Sequence, residues 1–246
     1  AICIIIAALT IVGKSILFPR YDEIETTGLY EIACEDYWVT EDQLDPFLKD
    51  GSLREVQVRA WYPKGYDNLD AKLPVVIASH GSCGSIDNNL SLYREFASHS
   101  YVVLAIGHPG HAFDTLHSDG KYLDKYATAD TSRFVTLGHS AALGMARTRT
   151  DVVGVIALGL PCMYDIKGIQ DGEYIMDDSD YEIPVLNVYS DASYSHLSEW
   201  KQYRNNANFL ESENENYENI YYAGTGHMGL CDLSLASPFW QARWIR

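Results

Sequence analysis

Ser140 lies in Arg133-Phe134-Val135-Thr136-Leu137-Gly138-His139-Ser140-Ala141-Ala142, an apolar, strand-like run that stops at a small-x-Ser-x-small turn. A serine hydroxyl attacks an acyl carbon only when a tight strand-to-helix turn presents it, backbone N–H groups face the developing charge and a histidine is within reach. Gly138 and Ala142 suit such a turn, because longer side chains two residues from the serine would collide there. A short G-x-S-x-[GA] pattern is weak by itself. Three further segments supply the partners that the chemistry needs.

Leu73-Pro74-Val75-Val76-Ile77-Ala78-Ser79-His80-Gly81-Ser82 is an apolar run of strand length ending in His-Gly. The loop after such a strand is where the second N–H of an oxyanion hole is placed, which makes Ser82 the candidate donor beside the N–H of Ala141. Gly224-Thr225-Gly226-His227-Met228 follows the strand-like Asn219-Ile220-Tyr221-Tyr222, so His227 is a candidate base on a glycine-flanked loop. Of the other histidines, His80 and His108 sit at strand ends and orient loops, His99, His111, His117 and His196 read as solvated, and His139 packs beside the elbow. Asp191 comes directly after Ile183-Pro184-Val185-Leu186-Asn187-Val188-Tyr189-Ser190, at the carboxyl end of a strand, where functional groups of open α/β sheets gather. It also falls between Ser140 and His227, the Ser…Asp…His order of triads built on this elbow.

With these residues in hand, the chain resembles the α/β-hydrolase superfamily, and within it the bacterial esterases related to platelet-activating-factor acetylhydrolase and dienelactone hydrolase. The resemblance runs from about residue 21 to residue 240. It rests on Trp61-Tyr62-Pro63, Ser79-His80-Gly81-Ser82, Tyr101-Val102-Val103-Leu104-Ala105-Ile106-Gly107-His108-Pro109, Leu137-Gly138-His139-Ser140, Val185-Leu186-Asn187-Val188-Tyr189-Ser190-Asp191 and Gly226-His227-Met228. It implies a mostly parallel central sheet flanked by helices, and a metal-independent serine esterase, without cofactor, that cleaves short-acyl esters. The chain also departs from the acetylhydrolase pattern, in which the triad acid follows the strand after the elbow helix. Here that strand is Val152-Val153-Gly154-Val155-Ile156-Ala157-Leu158, and Gly159 and Leu160 come next. The acid is therefore expected at Asp191, with Asp165 as runner-up. Residues 141–151 leave room for a short elbow helix only, and residues 110–132 are polar and turn-rich, so the helical layer should be thin.

The elements that must position these groups follow from apolar runs and punctuation. Strands are predicted at 55–62, 74–79, 101–106, 133–137, 152–158, 182–189 and 218–222, the first of them an antiparallel edge strand. Helices are predicted at 88–99, capped by Asp87, at 141–147 and at 197–206. Strands alternating with helices argue for a mostly parallel sheet. With 246 residues, 47% of them hydrophobic, residues 21–246 can form one domain with a large core. Residues 1–20 begin with thirteen apolar residues and read as the remnant of a membrane or signal-anchor segment, which points to a membrane-anchored or extracytoplasmic protein, with a cytoplasmic one as the alternative. The segment 237–240, Ser-Pro-Phe-Trp, reads as the opening of a closing helix that is cut short.

A formal charge of −16 disfavours nucleic acids and anionic membrane surfaces as partners and favours neutral or cationic small molecules, here an ester. Much of the negative charge lies in 23–50, 171–182 and 211–218, which read as solvated surface. Five cysteines without a C-x-x-C pair imply neither a zinc site nor a disulfide framework. Cys83 lies beside the oxyanion loop but lacks an elbow of its own. Of the 18 tyrosines, Tyr62, Tyr189 and Tyr194 are candidates for an acyl pocket, against packing in core and surface. Two other readings stay open: a catalytically impaired hydrolase fold used as a binding or sensor domain, and an amidase or peptidase on the same scaffold.

Overall fold

The computed structural model describes residues 12–13, 23–45, 51–66, 72–81, 84–108, 129–139, 144–147, 149–159, 166–177, 179–197 and 204–232. Strands β1 (Ile32–Leu44), β2 (Leu53–Pro63) and β3 (Leu73–Ser79) precede helix α1 (Leu90–Ser98) and β4 (Val102–Gly107). Then come β5 (Ala129–His139), β6 (Val152–Leu158), the hairpin strands β7 (Ile166–Gln170) and β8 (Glu173–Met176), and β9 (Val185–Ser190). The short helix α2 (Asp191–Tyr194), helix α3 (Arg204–Glu211) and β10 (Tyr217–Tyr222) complete the series. Eight of the strands form one sheet in the order β1-β2-β4-β3-β5-β6-β9-β10. The first two pairings are antiparallel and all the others parallel.

The interior strands are apolar on both faces, as a covered parallel sheet requires. Side chains alternate across the sheet, so Val75, Val102, Phe134, Val155 and Val185 join one core with Tyr181 and Phe209. Val76, Val103, Leu137 and Leu158 face the other way, into a second core with Tyr93 of α1.

Several expectations need correction. The edge strand is β1, and β2 lies inside the sheet between β1 and β4. The acidic stretch read as solvated surface contains β1: Tyr37 is buried and donates its hydroxyl to Glu35 on the same face, while Asp36 on the opposite face is exposed. Asp87 does not cap α1. It pairs with Arg59, which also holds Asp36 of β1 at 2.6 Å, while Asn89 stands at the N-cap without a side-chain cap bond. The described part of 141–147 is a 3₁₀ turn, Gly144–Arg147. Of the helix predicted over 197–206, Leu197 lies in the turn after α2, residues 198–203 lie outside the described residues, and α3 starts at Arg204 and runs on to Glu211. The hairpin β7-β8 lies in a region assigned no strand, because its four-residue second arm is too short to show a periodic pattern. Among the described residues no helix is long and apolar enough to cross a membrane; most of 1–20 lies outside them.

Candidate active site

The strands that carry the chemistry end together. In register, Ser79 pairs with Gly138, His139 with Leu158, Leu158 with Val188, and Ser190 with Tyr222. The carboxyl ends of β3, β5, β6, β9 and β10 therefore form one rim, with His80, His139, Gly159 and Asp191 at successive strand ends. The candidate base arrives from β10, three strands from β5. At roughly 4.8 Å per strand that is about 14 Å, which residues 223–226 must cross over the ends of β9 and β6.

Each strand end on the way receives the loop differently. At β9, the Asp191 carboxylate accepts hydrogen bonds from the Tyr221 hydroxyl and from the Gly224 N–H, the latter at 3.0 Å. The Asp191 N–H donates to the Thr225 carbonyl at 2.9 Å. At β6, Gly159 has a φ of +66°, and a Cβ there would lie 2.9 Å from both Nδ1 and Cε1 of His227. The imidazole thus occupies space left by a residue that has no side chain. At β5, the His139 ring meets the His227 ring with centroids 4.5 Å apart, and its Nε2–H donates to the His227 carbonyl at 3.2 Å. A carbonyl only accepts, so His139 carries its proton on Nε2.

His227 opens a 3₁₀ turn, His227–Leu230, whose far end is tied to α1. Asn89 Nδ2 donates to the Leu230 carbonyl at 2.9 Å, and the Asp232 carboxylate accepts from the Ser91 N–H at 2.6 Å and the Ser91 hydroxyl at 2.5 Å. Asp232 thereby serves the open first turn of a helix whose own N-cap makes no such bond. Across the rim, His80 accepts the His108 N–H at Nε2, at 3.1 Å, and so donates from Nδ1 to the Gly81 carbonyl at 2.7 Å. That bond ties the His80 ring to the backbone just past β3. His108 Nε2 in turn lies 2.7 Å from the Ser79 hydroxyl.

Burial pushes the His227 imidazole down to a pKa of about 4, and the neighbouring His139 adds to the effect. Burial also lowers His139, against the opposing influence of its bond to the His227 carbonyl. At neutral pH both rings are uncharged, and a neutral imidazole is the form that can take a proton. Burial raises the Asp232 carboxyl, with its bonds to Ser91 opposing.

Of the residues singled out in the sequence, His227 and Asp191 are brought to one loop at the rim. Ser140, Ala141, Ser82, Cys83 and Asp165 lie outside the described residues, although His139, at the last position of β5, directly precedes Ser140. The tyrosines do not share a pocket. Tyr62 is buried against Tyr66, Tyr189 is buried with its hydroxyl on the Asn206 carbonyl, and Tyr194 is exposed and stacked on Tyr221. Sequence reasoning gave no role to Tyr221 or Asp232 and treated His139 as packing; a polar residue at the elbow's variable position was the one available signal. Among the described residues no group of three His, Cys, Asp or Glu side chains could hold a metal ion.

No known family's sequence profile matches the chain, and no curated protein matches it by sequence. Solved structures do match it in shape. A ferulic acid esterase from Streptomyces cinnamoneus superposes with a TM-score of 0.58 over 87% of this chain and 79% of its own, at 15% identity. A dienelactone hydrolase-like promiscuous phosphotriesterase from metagenomic libraries covers 79% of this chain and 82% of its own, at 12% identity and a TM-score of 0.47.

Proposed function

We propose that this chain, which has the α/β-hydrolase fold, is a serine carboxylic-ester hydrolase that works through an acyl-enzyme. Ser140 Oγ attacks the acyl carbon while His227 takes its proton. The N–H groups of Ser82 and Ala141 hold the tetrahedral oxyanion. The alcohol leaves with the proton returned by His227, and water then hydrolyses the acyl-enzyme with the same histidine as base. Asp191 orients His227. Its bonds to Tyr221 and Gly224 support that role, because they fix the loop just before the base. The observation that carries the reading is the contact of His227 with His139, one residue from Ser140. The site's placement at strand carboxyl ends agrees with it.

A fluorophosphonate probe should label Ser140, and p-nitrophenyl acetate to butyrate should be hydrolysed without added metal. Ser140→Ala and His227→Ala should each abolish turnover. Activity that vanishes with EDTA and returns with zinc would remove the serine mechanism. Gly159 at the place of the family's acid favours one second reading, an impaired hydrolase that binds esters without cleaving them. Ester binding without probe labelling would establish it. An amidase would use the same residues and is separated by the rate on p-nitroanilides.

A further inference from the structure

We propose that His139 is a positioning residue, which clamps the base-bearing loop to the strand that carries the nucleophile. This rests on the serine hydrolase reading. His139 is 3% exposed, so its ring has no access to bulk water, and its Nε2–H is committed to the backbone carbonyl of His227 at 3.2 Å. A buried polar ring is stable only when such a bond is made. The acceptor is the main chain of the very residue whose side chain must reach Ser140. The donor is the residue that precedes Ser140 in the chain.

Nucleophile and base thus stand on two sides of one hydrogen bond, and their separation is set locally instead of through four strands of sheet. The two rings, tilted by 31° with centroids 4.5 Å apart, restrict a second freedom, the rotation of the His227 imidazole. On its other side the ring fills the space that a side chain at Gly159 would take. Other anchors of the loop act elsewhere: Asp191 holds it at Gly224 and Thr225, and Asn89 holds it at Leu230. His139 bonds His227 itself.

Three variants separate clamp from filler. Gln places an amide N–H near the position of Nε2, Asn places one near Nδ1 and falls short of the carbonyl, and Leu offers no donor. The clamp predicts that His139→Leu and His139→Asn lower kcat at least about tenfold with KM within about twofold, since a base displaced by a fraction of an ångström loses rate and not substrate affinity. His139→Gln should recover most of the loss. Fluorophosphonate labelling of Ser140 should slow in the same order. Melting temperatures are measured in parallel, because a filler would lower Tm in all three without separating them in kcat. If Leu does not fold, the contrast of Gln with Asn decides. Equal kcat for Gln and Asn, with Ser140→Ala and His227→Ala inactive, would overturn the clamp and spare the serine mechanism. An active Ser140→Ala would overturn the mechanism, and the clamp with it.

Discussion

Replacing Gly159 by Ala should damage catalysis far more than stability. Gly159 sits at φ +66°, where an L-residue pays roughly 1–2 kcal/mol. The new methyl carbon would meet Nδ1 and Cε1 of His227 at 2.9 Å and Leu230 Cδ1 at 3.4 Å. Carbon contacts settle at about 3.5–4.0 Å, so the ring must withdraw by about 0.6–1 Å. A displacement of that size can cost on the order of a hundredfold in rate. The backbone strain by itself lowers Tm by roughly 2–8 °C, at about 2–4 °C per kcal/mol for a chain of this size.

The expected result for Gly159→Ala is a kcat reduced about thirtyfold to a hundredfold on p-nitrophenyl butyrate, with KM little changed and a modest fall in Tm. Gly154→Ala is the control in the same strand: its φ is ordinary and its nearest neighbour to a new Cβ is Val135 Cγ2 at 3.5 Å. That variant should keep wild-type kcat. A Gly159→Ala protein that melts lower yet turns over within about threefold of wild type would refute the placement of the His227 ring on Gly159.

Four other outcomes are expected. The acid limb of kcat/KM should titrate near pH 4, because His227 must be neutral to act and its pKa is pushed down to about 4; a limb at 6.5 would contradict its burial. The same shift affects folding: the unfolded chain binds a proton near pH 6.5 that the folded one refuses until about 4, so stability is full above pH 6.5 and falls as pH drops through that window. Urea titrations at pH 7 and 4.5 should show about 2–3 kcal/mol less pH sensitivity in His227→Gln than in wild type. Asp191→Asn should lower kcat at least about a hundredfold and Asp165→Asn less than about tenfold, a discounted form of the loss on removing a triad acid; the reverse order moves the acid to Asp165. The protein expressed with residues 1–13 in place should fractionate with membranes, as their apolar run suggests; recovery in the soluble fraction would refute the anchor.

Interior strands were legible because burial on both faces leaves a plain signal, an unbroken apolar run such as 75–78 or 152–158. The edge strand was not: Glu35, Asp36, Glu41 and Asp42 all lie along β1, and by composition such a stretch equals a solvated loop. Helix starts failed for a related reason. Asp87 has the type of an N-cap, but tertiary pairing with Arg59 outcompetes the local use, and the helix draws on Asp232, 141 residues from Ser91. The candidate base and acid were legible from order and strand ends. The contact between His139 and His227 spans 88 residues and has no local signature.

Gly159 looked like a loss in the sequence, a missing acid, and the fold gives it a different meaning. A loop from β10 reaches β5 only by passing over β6, and here the imbedded ring takes the volume that a side chain at 159 would need. In this chain a carboxylate at 159 and the His227 ring in its present place exclude each other. The loop must then be fixed from positions it passes before and after β6. Asp191 grips it at Gly224 and Thr225 on the β9 side, and His139 grips it at His227 on the β5 side. Two backbone anchors on opposite flanks restrict the ring's translation as a single acid contact would not. Such an arrangement places the imidazole from both flanks, in a setting whose burial drives the His227 pKa down.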